Sequence, residues 1–74
     1  MIEIVRSDKQ ILGGTPCFAG TRVPVKSLFD YLEDGDTVDY FLSQFPTVKR
    51  EQVIALLESA RQKTESDSTA VIQQ

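Results

Sequence analysis

At 74 residues the chain has room for one domain, and a domain this small buries a modest share of its surface. Its single cysteine, Cys17, excludes an internal disulfide, and with no histidine a structural zinc site has too few ligands, so association with a second subunit is the expected compensation. The net charge of −3 is unevenly spread: residues 1–26 carry +2, residues 27–45 carry −5, residues 46–63 carry +2 and the tail −2. An anion-binding surface is therefore expected from the first or third segment. The N-terminal stretch becomes charged before any apolar run of useful length, so a signal peptide is not expected, and no run approaches the ~20 apolar residues of a membrane span. A lone reduced thiol fits the cytoplasm, the expected compartment.

Ile2, Ile4 and Val5 read as a short strand. Ile11 and Leu12 lead into Gly13-Gly14, a strong turn signal, and Pro16-Cys17-Phe18 reads as a second strand, broken at Gly20 and followed by Thr21-Arg22-Val23. This region is expected to be a small β arm or hairpin. Pro24 opens the first helix, where its fixed φ fits and its missing N–H costs nothing.

Three helical stripes follow, each at spacing i, i+3, i+4, i+7: Val25, Leu28, Phe29, Leu32; Val38, Phe41, Leu42, Phe45; and Val53, Leu56, Leu57, Ala60. Gly35 ends the first helix, Thr37 caps the second with Asp39 in its first turn, and Pro46-Thr47-Val48 turns into the third. Lys49 stands near the third N-cap, where Ser or Asp would serve better. The third helix is expected to fray after Lys63, leaving 64–74 as a disordered tail. The fold class is thus mainly α (small α+β): a short N-terminal β arm or hairpin, then a three-helix bundle over 1–63 resembling a helix-turn-helix pair. A plain three-helix bundle carries the same stripes.

Few residues offer chemistry. Cys17 lacks a histidine partner and sits beside Phe18, so packing rather than nucleophilic catalysis is expected. The acidic run from Glu33 to Asp39 lacks the ligand alternation of a calcium loop and reads as a solvated turn, so no metal site is expected. Gly13-Gly14 matches neither phosphate-loop motif. On a helical wheel the face of helix three opposite its stripe shows Glu51, Gln52, Ala55, Glu58, Ser59 and Gln62, two acids and no base. Were this helix to read DNA, Gln52 would contact a base, while Lys49 and Arg50 would supply phosphate contacts, with help from Arg6, Lys9, Arg22 and Lys26.

The segment Gly13–Val25, GGTPCFAGTRVPV, resembles the signature of the bacterial family called domain of unknown function 433, and the similarity runs from about Ile4 to Arg61. The structural signature comprises Gly13, Gly14, Pro16, Gly20, Thr21, Arg22 and Pro24. The resemblance implies a homeodomain-like helix-turn-helix with an N-terminal β element. It also implies an antitoxin of the VapBC type: a homodimer that neutralises a PIN-like ribonuclease toxin, binds promoter DNA, and has no catalytic activity, cofactor or small-molecule substrate. Cys17, Lys49 and Tyr40 depart from the residues usual at those positions. Toxin contact is expected from Arg61 and Lys63, either of which could enter the acidic metal site of a PIN-like nuclease. Arg22 is expected to fork onto carboxylates of the acidic helices and fix the arm to the bundle. The alternatives are a stand-alone helix-turn-helix DNA-binding regulator and a dimeric protein-interaction module without DNA binding.

Overall fold

The computed structural model describes residues 3–67. Chain order is β1 (Val5–Arg6), a 3-10 turn (Leu12–Gly14), β2 (Cys17–Phe18), α1 (Val25–Glu33), α2 (Val38–Gln44) and α3 (Arg50–Ser66). The protein is therefore a small α+β fold with an antiparallel two-stranded arm followed by three helices. The expectations for Ile2 and for residues 68–74 lie outside the described residues.

The arm is built around β2. Val5 pairs with Phe18 and Arg6 with Cys17 on one side. On the other side Phe18 donates its N–H to Val23 O at 3.0 Å, and Val25 donates to Pro16 O at 3.0 Å. The signature segment is thus a tight hairpin whose first leg also carries β1. Its bend spans Phe18 to Thr21 and is closed by Thr21 N–H donating to Phe18 O at 3.0 Å. Gly20 sits there at φ 79°, in left-handed space that a side chain resists. Thr21 locks the bend twice over: its Oγ1 donates to Phe18 O at 2.8 Å and accepts from Val23 N–H at 3.0 Å.

Each helix boundary has a local cause. Pro24 is the N-cap of α1, at ψ 141°, rather than its first helical residue; as part of the hairpin it also bridges Cys17, which holds it extended. At the other end Gly35 N–H donates to Leu32 O and Asp36 N–H to Tyr31 O, both at 3.0 Å, the paired bonds of a Schellman motif with Gly35 at φ 92°. Thr37 caps α2 by accepting from Tyr40 N–H at 3.0 Å. Pro46, Thr47 and Val48 separate the caps of α2 and α3, as the spacing predicts.

The core joins all of these elements. Phe18 of the arm, Leu28 of α1, Phe41 of α2, Val48 of the turn and Val53 of α3 are buried together. Around Phe41 the aromatic rings interlock: Phe45 lies 4.9 Å away, Tyr31 5.5 Å and Phe18 6.1 Å between centroids. The second predicted stripe packs as expected; in the first, Val25, Leu28 and Leu32 join the core together with Tyr31, while Phe29 does not pack against it. The third is rotated and shortened: Gln52 and Val53 are buried, Leu56 and Leu57 are half-buried, and Ala60 is exposed. Nor does α3 fray after Lys63; it continues to Ser66, supported by Thr64 Oγ1 and Ser66 Oγ donating to the carbonyls of Ala60 and Gln62.

Candidate functional site

Two adjoining recesses open where the arm meets the start of α3. The larger, about 560 Å³, has an apolar floor of Ile11, Phe18 and Val23, with Arg6, Asp8 and Arg22 among its lining residues. The smaller, about 370 Å³, shares Arg6, Gly20 and Thr47 with it and reaches Lys49 and Gln52. Gly20 of the hairpin bend and Thr47 of the turn before α3 line both recesses.

Gln52 is the structural hinge of this region and is not available to read a base. It is buried, and its side chain is fully engaged. Its Oε1 accepts from Lys49 N–H at 3.0 Å, while Nε2 donates to Ala19 O at 3.0 Å and Glu3 O at 3.3 Å. One residue thereby ties the α3 N-terminus to both legs of the arm. Lys49 has no lone pair with which to cap α3, so Gln52 supplies the half of a capping box that remains. A Gln three residues after an N-cap is the signal in the sequence that could have revealed this role.

The predicted cations are placed very differently from one another. Arg50 is bound to Asp39, joining the first turn of α3 to the first turn of α2. Arg61 is held between Glu58 at 2.7 Å and Glu65 at 2.8 Å on its own helix. These carboxylates raise the Arg61 pKa, and Arg61 in turn draws the Glu58 carboxyl below its ordinary value. Arg6 pairs with Glu3, and Lys26 with Asp30 at 2.9 Å. Among the described residues Lys9, Arg22, Lys49 and Lys63 make no ion pair. The expected fork of Arg22 onto helix carboxylates is therefore corrected: Arg22 is exposed, lines the larger recess and makes no ion pair among the described residues.

Of the remaining signature residues, Gly13 and Gly14 adopt φ 66° and 94° in the 3-10 turn. Pro16 accepts from the first helical N–H of α1, Gly20 and Thr21 form the bend, and Pro24 caps the helix. Cys17 is buried, its Sγ donating to Thr15 O at 3.3 Å, which places it in the arm's packing. Among the described residues no cluster of acids and cysteine is arranged to hold a metal ion. No helix there is long and apolar enough to cross a membrane.

The outer surface of α3 divides into two parts. Its first turns expose Glu51 and Ile54, the latter 48% accessible. From Glu58 to Ser66 every residue is exposed, so the last two turns stand clear of the core. No solved structure matches the chain. Over 51 residues it is 41% identical to the protein named "Uncharacterized protein y4eO" of Sinorhizobium fredii (strain NBRC 101917 / NGR234), an alignment covering 69% of this chain and 23% of that protein. Residues 5–60, from β1 through the exposed start of α3's outer turns, match the family model described as "Protein of unknown function (DUF433)", and the chain belongs to that family.

Proposed function

We propose that this chain is a cytoplasmic, non-enzymatic binding module of antitoxin type, which neutralises a PIN-like ribonuclease through the outer half of α3. The observation that carries this reading is the exposure of every residue from Glu58 to Ser66 on a continuous helix. A helix polar on all sides gains little from the fold it extends, and its Glu58–Arg61–Glu65 ladder keeps it wound in water. Such a segment is pre-ordered for a partner, and little ordering entropy is lost when it docks. Lys63 makes no ion pair there among the described residues, and Arg61 is released by breaking only exposed pairs, which are weak.

The test is RNA cleavage by a co-encoded PIN-like nuclease titrated with this protein. Wild-type chain is expected to abolish cleavage at stoichiometric addition, and Arg61→Ala/Lys63→Ala to lose inhibition by more than about tenfold. Unchanged inhibition by the double variant would remove these two cations from the mechanism. Absence of inhibition by the wild-type chain would end the antitoxin reading.

A second reading, a DNA-binding regulator that occupies promoter DNA, is favoured by one observation: Lys49 and Arg22 are both exposed, line adjoining recesses and make no ion pair among the described residues. Lacking Gln52 as a base reader, this reading relies on phosphate contacts, so affinity would fall steeply with salt and show weak sequence preference. Fluorescence anisotropy with upstream and scrambled DNA across a salt series measures both. Equal weak binding at low salt, or none, counts against a sequence-specific regulator.

A further inference from the structure

The larger recess combines an apolar floor with two opposite charges that do not meet. Ile11, Phe18 and Val23 make the floor, and the volume of about 560 Å³ lies within the range of small-molecule sites. Arg6, Asp8 and Arg22 are its charged lining residues. Arg6 is already held by Glu3, through its Nε and its Nη2. Arg22 makes no ion pair and no side-chain hydrogen bond among the described residues. Asp8 accepts the backbone N–H of Gln10 at 2.8 Å on Oδ1, and among the described residues no ion pair joins it to Arg22. One guanidinium and one carboxylate thus line the same recess, each without an oppositely charged partner.

That arrangement limits what the recess can hold. A wholly apolar molecule would cover both charged groups and give neither a partner, which is costly. An anion would suit Arg22 but meet repulsion from Asp8, and a cation would do the reverse. A molecule carrying both charges beside an apolar group matches all three features at once. We propose that the recess binds a small zwitterion with an apolar side chain, of the class of an apolar amino acid or a dipeptide of such residues. Its carboxylate takes the guanidinium fork of Arg22, its ammonium takes Asp8, and its side chain lies against the apolar floor. None of the lining residues belongs to the Glu58–Ser66 turns, so this site goes beyond the antitoxin reading and is tested separately from it.

Amide NMR titration of the full chain to millimolar ligand tests it, with L-phenylalanine and L-alanyl-L-phenylalanine as probes. Saturable shifts are expected at the amides of Ile11, Phe18 and Val23, and the tighter probe tells the free amino acid from the peptide. Hydrocinnamate, which lacks the ammonium, and phenethylamine, which lacks the carboxylate, are each expected to bind more than about tenfold more weakly. Arg22→Gln and Asp8→Asn are expected to weaken the zwitterions by a similar factor. Both side chains are exposed, and asparagine keeps an oxygen for the Gln10 N–H, so the fold is expected to survive either change. Circular dichroism verifies that each variant keeps its helices. Absence of saturable shifts with both probes would overturn the proposal. So would hydrocinnamate or phenethylamine binding as tightly as the zwitterions, or a folded variant that binds them as wild type does.

Discussion

The two halves of α3 share a helix and almost nothing else. From Lys49 to Leu57 the helix is anchored: Val53 enters the core and Gln52 spends every polar atom of its side chain on the α3 entry and the arm. From Glu58 to Ser66 every residue is exposed, and Arg61 is paired with Glu58 and Glu65 of the same stretch. The contrast teaches that amphipathic spacing reports which residues are able to face a core, whereas the extent of the core decides which of them do. Ala60 continues the stripe in sequence yet is exposed.

The contrast can be sharpened by mutation. Phe18→Ala attacks the point where the arm, α1 and α2 converge, and should lower the unfolding free energy by about 3–5 kcal/mol in urea titration. Gln52→Met keeps the side-chain volume but strands Ala19 O and Lys49 N–H in a buried place; an expected loss of about 1–3 kcal/mol follows from leaving such groups unpartnered. Gln62→Ala, the same residue type in the outer half, should stay within about 0.5 kcal/mol of wild type. Equal effects at Gln52 and Gln62 would erase the distinction between the halves. Gly20→Ala tests the arm separately: a Cβ there meets no atom within 4 Å, so its cost of about 1–2 kcal/mol comes from left-handed backbone and not from a clash.

The smallest effect is electrostatic. Arg61 holds the Glu58 carboxyl below its ordinary value of 4.5, so the pair supports the outer turns fully above that value and is lost as pH falls through the lowered one. Backbone 13Cα shifts should therefore show residues 61–66 fraying in acid before the buried turns at 52–56 respond. Arg61→Gln should remove that local acid transition; a transition that persists would assign it to other carboxylates.

How far the sequence could be read differs by element. The Gly35 stop and the Thr37 cap were legible because each depends on contacts within five residues, and the structure places both as expected. The hairpin was legible as a strand–turn–strand, yet its register was not, since two-residue strands carry too little alternation to define one. In the candidate site, Gly20, Thr21 and Pro24 were identified as structural and serve the bend and helix entry. Gln52 was misassigned as a base reader because a helical wheel places it on the polar side. The Lys49–Gln52 spacing announces its cap bond, but its burial against Ala19 O and Glu3 O of the arm is long-range. Arg22 failed in the opposite direction, since charge balance paired it with acids that the fold holds elsewhere.

By itself the sequence determined the helix stripes, the caps and stops, the strained glycine positions and the separation of a basic arm from an acidic middle. These depend on backbone preferences and on residues a few positions apart, where chain connectivity supplies the neighbours. Only the tertiary structure decided that Gln52 is a strut, that Arg50 and Arg61 are already paired, that Arg22 and Tyr40 remain exposed, and that α3 outruns its core. Those outcomes depend on which distant segments meet, and that is set by the joint packing of Phe18, Leu28, Phe41, Val48 and Val53 rather than by any one stretch of chain.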